Sequence, residues 1–258
     1  MPILISESKE TLGFVPTMGA LHAGHLSLIR KAVQDCDEVV VSIFVNPAQF
    51  GEGEDFERYP RSLEADREAA LAAGANYVYA PVQTDIYPNY PQFDIPGEPF
   101  DAALIPGPLA VRWEGEKRPG HFEGVTAVVK RLFDLIQPDK AYFGEKDFQQ
   151  LRVIESMVKQ LALPVEIVRC PILRDEAGLA LSSRNRYLSD TDYQQALTIP
   201  RALAAGDQSL LSNSIVLDYF AEVDAETLEP ALVPGKKGNL RIFAGTLGTT
   251  RLIDNCPV

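Results

Sequence analysis

Short apolar runs alternate with stretches of helical periodicity through the first two-thirds of the chain, and this alternation restricts the fold more than any other feature. "LGFV" (12–15), "EVVVSIFV" (38–45), "NYVYA" (76–80), "KAYFG" (140–144) and "VEIVRC" (165–170) are too short for typical helices and rich in β-branched and aromatic residues. Each reads as a strand. Between them Leu26, Ile29 and Val33 recur at helical spacing, and Ser62 and Gly74 frame "LEADREAALAA" as N-cap and C-terminal stop. Val125, Val129, Leu132 and Ile136 share a helical face that Pro138 halts, and Leu151, Ile154, Val158 and Leu161 mark a further helix. Strand–helix alternation requires right-handed crossovers and a parallel sheet. The expected fold is therefore α/β, a Rossmann-like doubly wound parallel sheet, over residues 1–175. From there the pattern changes to a helix, "SDTDYQQALTIPRALAAG", and alternating runs such as "IVLDYFAEV" and "LRIFAG". Residues 176–258 are expected to form a second, smaller α+β C-terminal domain.

Residues 81–108 interrupt the rhythm with seven prolines. Proline fixes φ and removes a backbone donor, so an irregular loop with short edge strands is expected, as a flap, an interface element or a plain surface excursion.

Charge and cysteine content narrow the partners. Net charge is −12, which leaves no broad basic footprint for nucleic acid or an anionic membrane, although a few local cations suffice for a small anion. The longest apolar run, "VVVSIFV", is too short to span a bilayer. Three separated cysteines form no disulfide framework, and "MPILISESKE" has no basic stretch followed by an apolar run. A cytoplasmic protein is the expectation.

The polar clusters follow the strands. "TMGALHAGH" follows "LGFV", "NPAQF" follows "SIFV", "GEKDFQQ" follows "KAYF", and "SSRN" follows "GLAL". In open parallel sheets ligands bind at the carboxyl ends of the strands, so these segments are expected to converge. His22 and His25, three apart at a helix start beside Gly19 and Gly24, suit an anion held by backbone amides and neutral imidazoles. Zinc is the sharper rival, with His121 as third ligand, but no HExxH or cysteine pair accompanies it. Lys146 offers a cation, Asp147 a magnesium ligand or a helix cap, and Arg184 with its neighbouring serines a phosphate fork. Gln49 and Gln150 suit a hydroxyl- and carboxylate-rich substrate. Arg118 and His121 stand at another helix entrance, again a setting suited to anions. No Walker-type phosphate loop and no GxSxG is present.

"FVPTMGALHAGHLSLI", "VSIFVNPAQF", "YPRS", "EGEKRPGHFEGV", "QPDKAYFGEKDFQQL" and "GLALSSRNRYL", in this order across roughly residues 12–188, resemble the pantoate–β-alanine ligases. "FAEVDAETLEP" and "RIFAGTLGTTRLIDN" resemble that family's small C-terminal domain. The resemblance implies a cytosolic homodimer of the HIGH-motif nucleotidyltransferase superfamily that adenylates (R)-pantoate with ATP and Mg²⁺, then transfers the pantoyl group to β-alanine. It implies that Met18, Gly19, Ala20, Leu21, His22, Ala23, Gly24 and His25 line the ATP phosphates, with His25 the principal catalytic histidine and His22 assisting. Gly144, Glu145, Lys146 and Asp147 would contact ATP, Lys146 on its phosphates and Asp147 near ribose or metal. Leu173 would meet adenine through its backbone, and Leu181, Ser182, Ser183 and Arg184 would form a mobile phosphate-side loop. Gln49 and Gln150 would hold pantoate, with Asn46, Arg118 and His121 as further substrate-side residues. Ala127 stands where the family usually has threonine, which removes any role for a hydroxyl there. A nucleotidyltransferase without the ligase step, a three-histidine zinc hydrolase and a non-enzymatic nucleotide-binding module are the competing readings.

Overall fold

Five strands, β1 (Leu12–Thr17), β2 (Glu38–Ile43), β3 (Tyr77–Tyr79), β4 (Lys140–Gly144) and β5 (Glu166–Cys170), pair in the order β3-β2-β1-β4-β5. All four pairings are parallel. This computed structural model describes residues 10–88 and 106–258. Strand alternation explains how one sheet supports two cores, because successive side chains point to opposite faces. Phe14, Val40, Ala141 and Phe143 pack on one face against α5 (His121–Ile136) and α6 (Phe148–Gln160). Val15, Val39, Val41 and Tyr142 pack on the other against α1 (Ala23–Asp35) and α2 (Leu63–Ala72). Phe14 and Tyr142 are completely buried; each such large side chain contributes about 2 kcal/mol of transfer free energy. The strand order reverses between β1 and β4, which is where a doubly wound sheet opens its ligand crevice.

The chain divides into two units. The first takes the described residues up to Gly144 together with Gln150–Cys170; the second takes Glu145–Gln149 and Pro171–Val258. In the second, β6 (Ile215–Asp224), β7 (Asn239–Leu247) and β8 (Thr250–Pro257) form an antiparallel sheet in the order β6-β7-β8. Ile199 and Leu203 of the helix behind it pack with Phe243, Leu247 and Leu252. The fold is thus the expected Rossmann-like sheet with a smaller C-terminal α+β portion.

Several local expectations change. The buried face of α1 is Leu28, Ile29 and Ala32, while Val33 is 39% exposed, because Val33 lies one position beyond the face that meets the sheet. Ser62 does precede α2, but its hydroxyl donates to Asp66 at 3.1 Å and makes no side-chain bond to the helix backbone. "SDTDYQQALTIPRALAAG" is two helices, α7 (Asp190–Ala196) and α8 (Thr198–Ala205), with Pro200 in the first turn of the second, where its missing N–H costs nothing. β8 was not among the runs read as strands. In the proline-rich stretch, Gln83–Ile86 form the short helix α3 and Pro108–Ala110 a single 3₁₀ turn. The expected edge strands are absent among its described residues, and residues 89–105 lie outside them. The remaining short helix, α4, is Glu114–Lys117. Among the described residues no helix is long and apolar enough to cross a membrane.

Candidate active site

The loop leaving β1 is held by the sheet beneath it. Thr17 Oγ1 donates to the Ser42 carbonyl at 2.7 Å and accepts from the Gly19 amide at 3.1 Å. Gly19 and Ala20 both take positive φ, +79° and +51°. Two successive left-handed residues turn the chain sharply and aim their amides inward, and for Ala20 that conformation is strained by about 1 kcal/mol. The buried carboxylate of Asp66 holds the turn: it accepts from the Ala20 amide at 2.9 Å and the Leu21 amide at 2.7 Å. A Cβ on Gly19 would stand 2.9 Å from the same carboxylate. Asp66 escaped the sequence reading, because an acidic residue inside "LEADREAA" looks like a solvated helix face.

This turn delivers the two histidines at the N-terminus of α1. His22 is the N-cap, and its Nδ1 accepts from the Gly24 amide at 3.1 Å. The Nδ1 of His25 accepts from the His22 amide at 3.3 Å, and the ring centroids stand 4.1 Å apart. A backbone amide can only donate, so both Nδ1 atoms are acceptors and a neutral ring carries its proton on Nε2. Each neutral imidazole therefore carries its N–H at Nε2, beside the positive end of a helix with no acidic residue in its first turn.

Beyond β2, Asn46 caps a 3₁₀ turn (Pro47–Gln49). The Gln49 Oε1 accepts from Asn46 at 3.0 Å, and its Nε2 lies 3.2 Å from Met18 Sδ. The turn presses on α5 at Gly124, where a Cβ would fall 2.3 Å from the Ala48 carbonyl oxygen. Arg118 and His121 support it from the side. Arg118 donates bidentately to Glu54 at 2.8 and 2.7 Å, and its Nη1 donates to His121 Nε2 at 3.1 Å. The opposite nitrogen, Nδ1, donates to the Gln49 carbonyl at 2.9 Å. Their polar atoms are engaged with the protein, in props beneath Gln49.

Burial first, then the adjacent Arg118 charge, push the His121 pKa down to about 4 from 6.5. Burial alone would raise Glu54, but the Arg118 fork brings its carboxyl below the ordinary range. A depressed histidine pKa means that the unfolded chain binds the proton better. The His121 contribution to stability is complete above pH 6.5 and is lost as pH falls toward 4, on the order of 3 kcal/mol in all; Glu54 acts in the same direction at lower pH. Denaturant titrations between pH 7 and 4 are expected to show this loss in the parent and a flatter profile in His121→Asn. An unchanged slope would refute the assignment.

The second unit carries the other predicted cluster. Lys146 lies in the 3₁₀ turn Glu145–Asp147 ahead of α6, its Nζ 3.6 Å from Asp147 Oδ2. Asn255 of β8 holds this turn, its Nδ2 donating to the Glu145 and Lys146 carbonyls at 2.8 and 3.0 Å. Its neighbour Asp254 takes a bidentate pair from Arg174 at 2.7 and 3.0 Å. The Leu173 carbonyl accepts from the Leu181 amide at 2.9 Å, which ties the residue expected to meet adenine to the serine loop. In that loop Ser182 caps the turn Ser183–Tyr187 by accepting from the Arg184 amide at 3.3 Å. Asn255, Asp254 and Arg174 are further residues the sequence reading did not single out. Gly144 and Gln150, which flank the lysine turn in the chain, belong to the first unit.

A model of the pantoate–β-alanine ligase family matches residues 3–257. The chain belongs to that family. Pantothenate synthetase of Rubrobacter xylanophilus is 48% identical over 95% of this chain and 90% of its own length; that of Thermus thermophilus is 46% identical over 97% and 94%. A crystal structure of the Thermus thermophilus enzyme superposes with a TM-score of 0.87 at 44% identity, covering 97% of this chain and 94% of that one. Pantoate–β-alanine ligase of Francisella tularensis, described as complexed with β,γ-ATP and β-alanine, gives 0.81 at 36% identity over 98% and 92%.

Proposed function

We propose that His22, His25, Lys146 and Arg184 act on one ATP to adenylate the pantoate held by Gln49 and Gln150. The ligase condenses (R)-pantoate with β-alanine to pantothenate through pantoyl adenylate, releasing AMP and pyrophosphate. The single observation behind the residue assignment is the pair of Nε2–H donors at the α1 N-terminus, on the strand where the sheet reverses. Attack of a carboxylate on the α-phosphorus brings two anions together, and fixed donors that need no reorganisation are what lowers that barrier.

In this reading Met18, Gly19, Ala20, Leu21, Ala23 and Gly24 line the triphosphate with their backbone. Gly144 and Glu145 border it, and Lys146 neutralises its charge. The first unit is the ATP- and pantoate-binding catalytic portion, and the second, with Leu173 at adenine and the loop Leu181, Ser182, Ser183 and Arg184, acts as a lid. Exclusion of water by that lid protects the acyl adenylate until the β-alanine amine attacks. Asn46, Arg118 and His121 serve the pantoate side by holding Gln49.

Asp147 is the carboxylate available to Mg²⁺. Among the described residues no three His, Cys, Asp or Glu side chains group as a metal cage, and a single carboxylate plus phosphate oxygens suits Mg²⁺. The bound ion would spread the developing phosphate charge. The donor chemistry disfavours the zinc reading, since a guanidinium faces His121 Nε2 at 3.1 Å. A cytoplasmic homodimer completes the proposal.

ATP–pyrophosphate exchange that requires pantoate, followed by pantothenate release on adding β-alanine, is the deciding assay. Chelation is expected to stop it and Mg²⁺ to restore it. Exchange without pantoate would favour a simple nucleotidyltransferase, ATP binding without turnover a binding module, and stoichiometric zinc, with activity lost to chelator and restored better by zinc than by magnesium, a zinc hydrolase.

A further inference from the structure

The Tyr87 hydroxyl, buried at the end of α3, donates to Asn46 Oδ1 at 2.7 Å. Burial pushes its pKa upward, so it stays protonated and able to donate. Asn46 is itself buried, and every hydrogen-bond role it plays is dictated. Its Oδ1 also accepts from the Ala48 amide at 3.3 Å, and its Nδ2 donates to the Gly124 carbonyl at 3.1 Å. The amide cannot be flipped without setting an oxygen against the Gly124 oxygen and an NH₂ against an N–H. Its Nδ2 is therefore the group that faces Gln49, and Gln49 must answer with Oε1. Gln49 is left presenting Nε2, which among the described residues meets a weak acceptor, Met18 Sδ, at 3.2 Å.

We infer that Tyr87 is a positioning residue, whose hydroxyl joins the Ala48 amide and the Gly124 carbonyl in holding Asn46 so that the Gln49 amide is kept as a donor toward an oxygen of pantoate. The orientation selects a substrate atom with lone pairs, a carboxylate or hydroxyl oxygen, over a donor at that point. The inference rests on the pantoate reading of Gln49.

Tyr87→Phe removes the hydroxyl and keeps the ring. The KM for pantoate is expected to rise about fivefold to tenfold, the effect of one buried hydrogen bond, with kcat and the KM for ATP within about twofold, as for lost uniform binding of one substrate. In a Gln49→Ala background the same change is expected to move the pantoate KM by less than about twofold, because the side chain it orients is gone. An equal rise for both substrates, no rise for pantoate, or the same factor without Gln49 would overturn the inference. Should Tyr87→Phe fail to fold, Asn46→Asp gives a second reading. Its carboxylate cannot donate to Gln49, so a selective loss of pantoate affinity is expected, and an equal loss for ATP would overturn the relay. Failure of the parent enzyme to use pantoate would instead remove the functional reading itself.

Discussion

His25→Ala is expected to slow pantoyl-adenylate formation about 10³-fold while changing ATP affinity by less than about tenfold. The asymmetry follows from what the ring does. Its Nδ1 accepts the His22 amide, which puts the proton of the neutral ring on Nε2, and in the proposed role that Nε2–H is directed at the reacting phosphate. A donor aimed at charge that develops in the transition state contributes mainly there, whereas ground-state ATP keeps its other backbone and side-chain partners. Single-turnover measurement of adenylate with pantoate and ATP, alongside equilibrium ATP binding, separates the two quantities. His25→Gln can replace part of the donor and is expected to fall between the parent and alanine. A turnover rate unchanged in His25→Ala would remove the catalytic assignment. An ATP affinity that falls as far as the rate would make the histidine a binding residue only.

Gly124→Ala is expected to damage both the fold and the pantoate site proposed at Gln49. The added methyl would lie 2.3 Å from the Ala48 oxygen, 2.5 Å from its carbonyl carbon and 2.7 Å from the Gln49 amide nitrogen. All three are backbone atoms, so no side chain can swing aside. Either α5 moves away from the Pro47–Gln49 turn or the turn moves, and in both cases Asn46 loses its 3.1 Å bond to the Gly124 carbonyl. Overpacking of this kind costs about 3 kcal/mol, read as a fall in Tm of about 10 °C for the first unit. The pantoate KM is expected to rise more steeply than the ATP KM, since the displaced turn carries Gln49. A Tm within about 2 °C of the parent would show that the helix and turn are not in the contact described. Gly144→Ala is the control for the Tm reading alone, because a Cβ there meets no protein atom within 4 Å.

The parts of this protein readable from its sequence are those governed by local chemistry. Val39, Val40 and Val41 form a strand because three consecutive β-branched residues are buried on both faces of a parallel sheet. Val125, Val129, Leu132 and Ile136 pack together because helical spacing puts them on one stripe. Loops after β1 and β2 were expected to carry the polar groups, and Gln49 Nε2 does lie against Met18.

What stayed hidden depends on partners far apart in the chain. Asp66 reaches back 45 and 46 residues to the Leu21 and Ala20 amides, and nothing in "LEADREAA" distinguishes a buried clamp from a solvated carboxylate. Asn255 holds the Lys146 carbonyl across 109 residues, so the lysine turn belongs to the second unit although it directly follows β4. Arg118 and His121 looked like an anion site because the carboxylate that engages the arginine, Glu54, lies 64 residues earlier. The tautomers were beyond sequence for the same reason: each is set by one particular amide or carbonyl. His22 and His25 accept at Nδ1, whereas His121 donates there.

A crystal structure of the enzyme with a non-hydrolysable ATP analogue and pantoate would test most directly whether both units serve one nucleotide. The expected result has His25 Nε2 and Lys146 Nζ each within about 3 Å of oxygens on the same triphosphate, with the pantoate carboxylate beside its α-phosphorus and the Gln49 NH₂ on pantoate. A triphosphate held by one unit alone, with the lysine or the histidine facing solvent in the ternary complex, would contradict it.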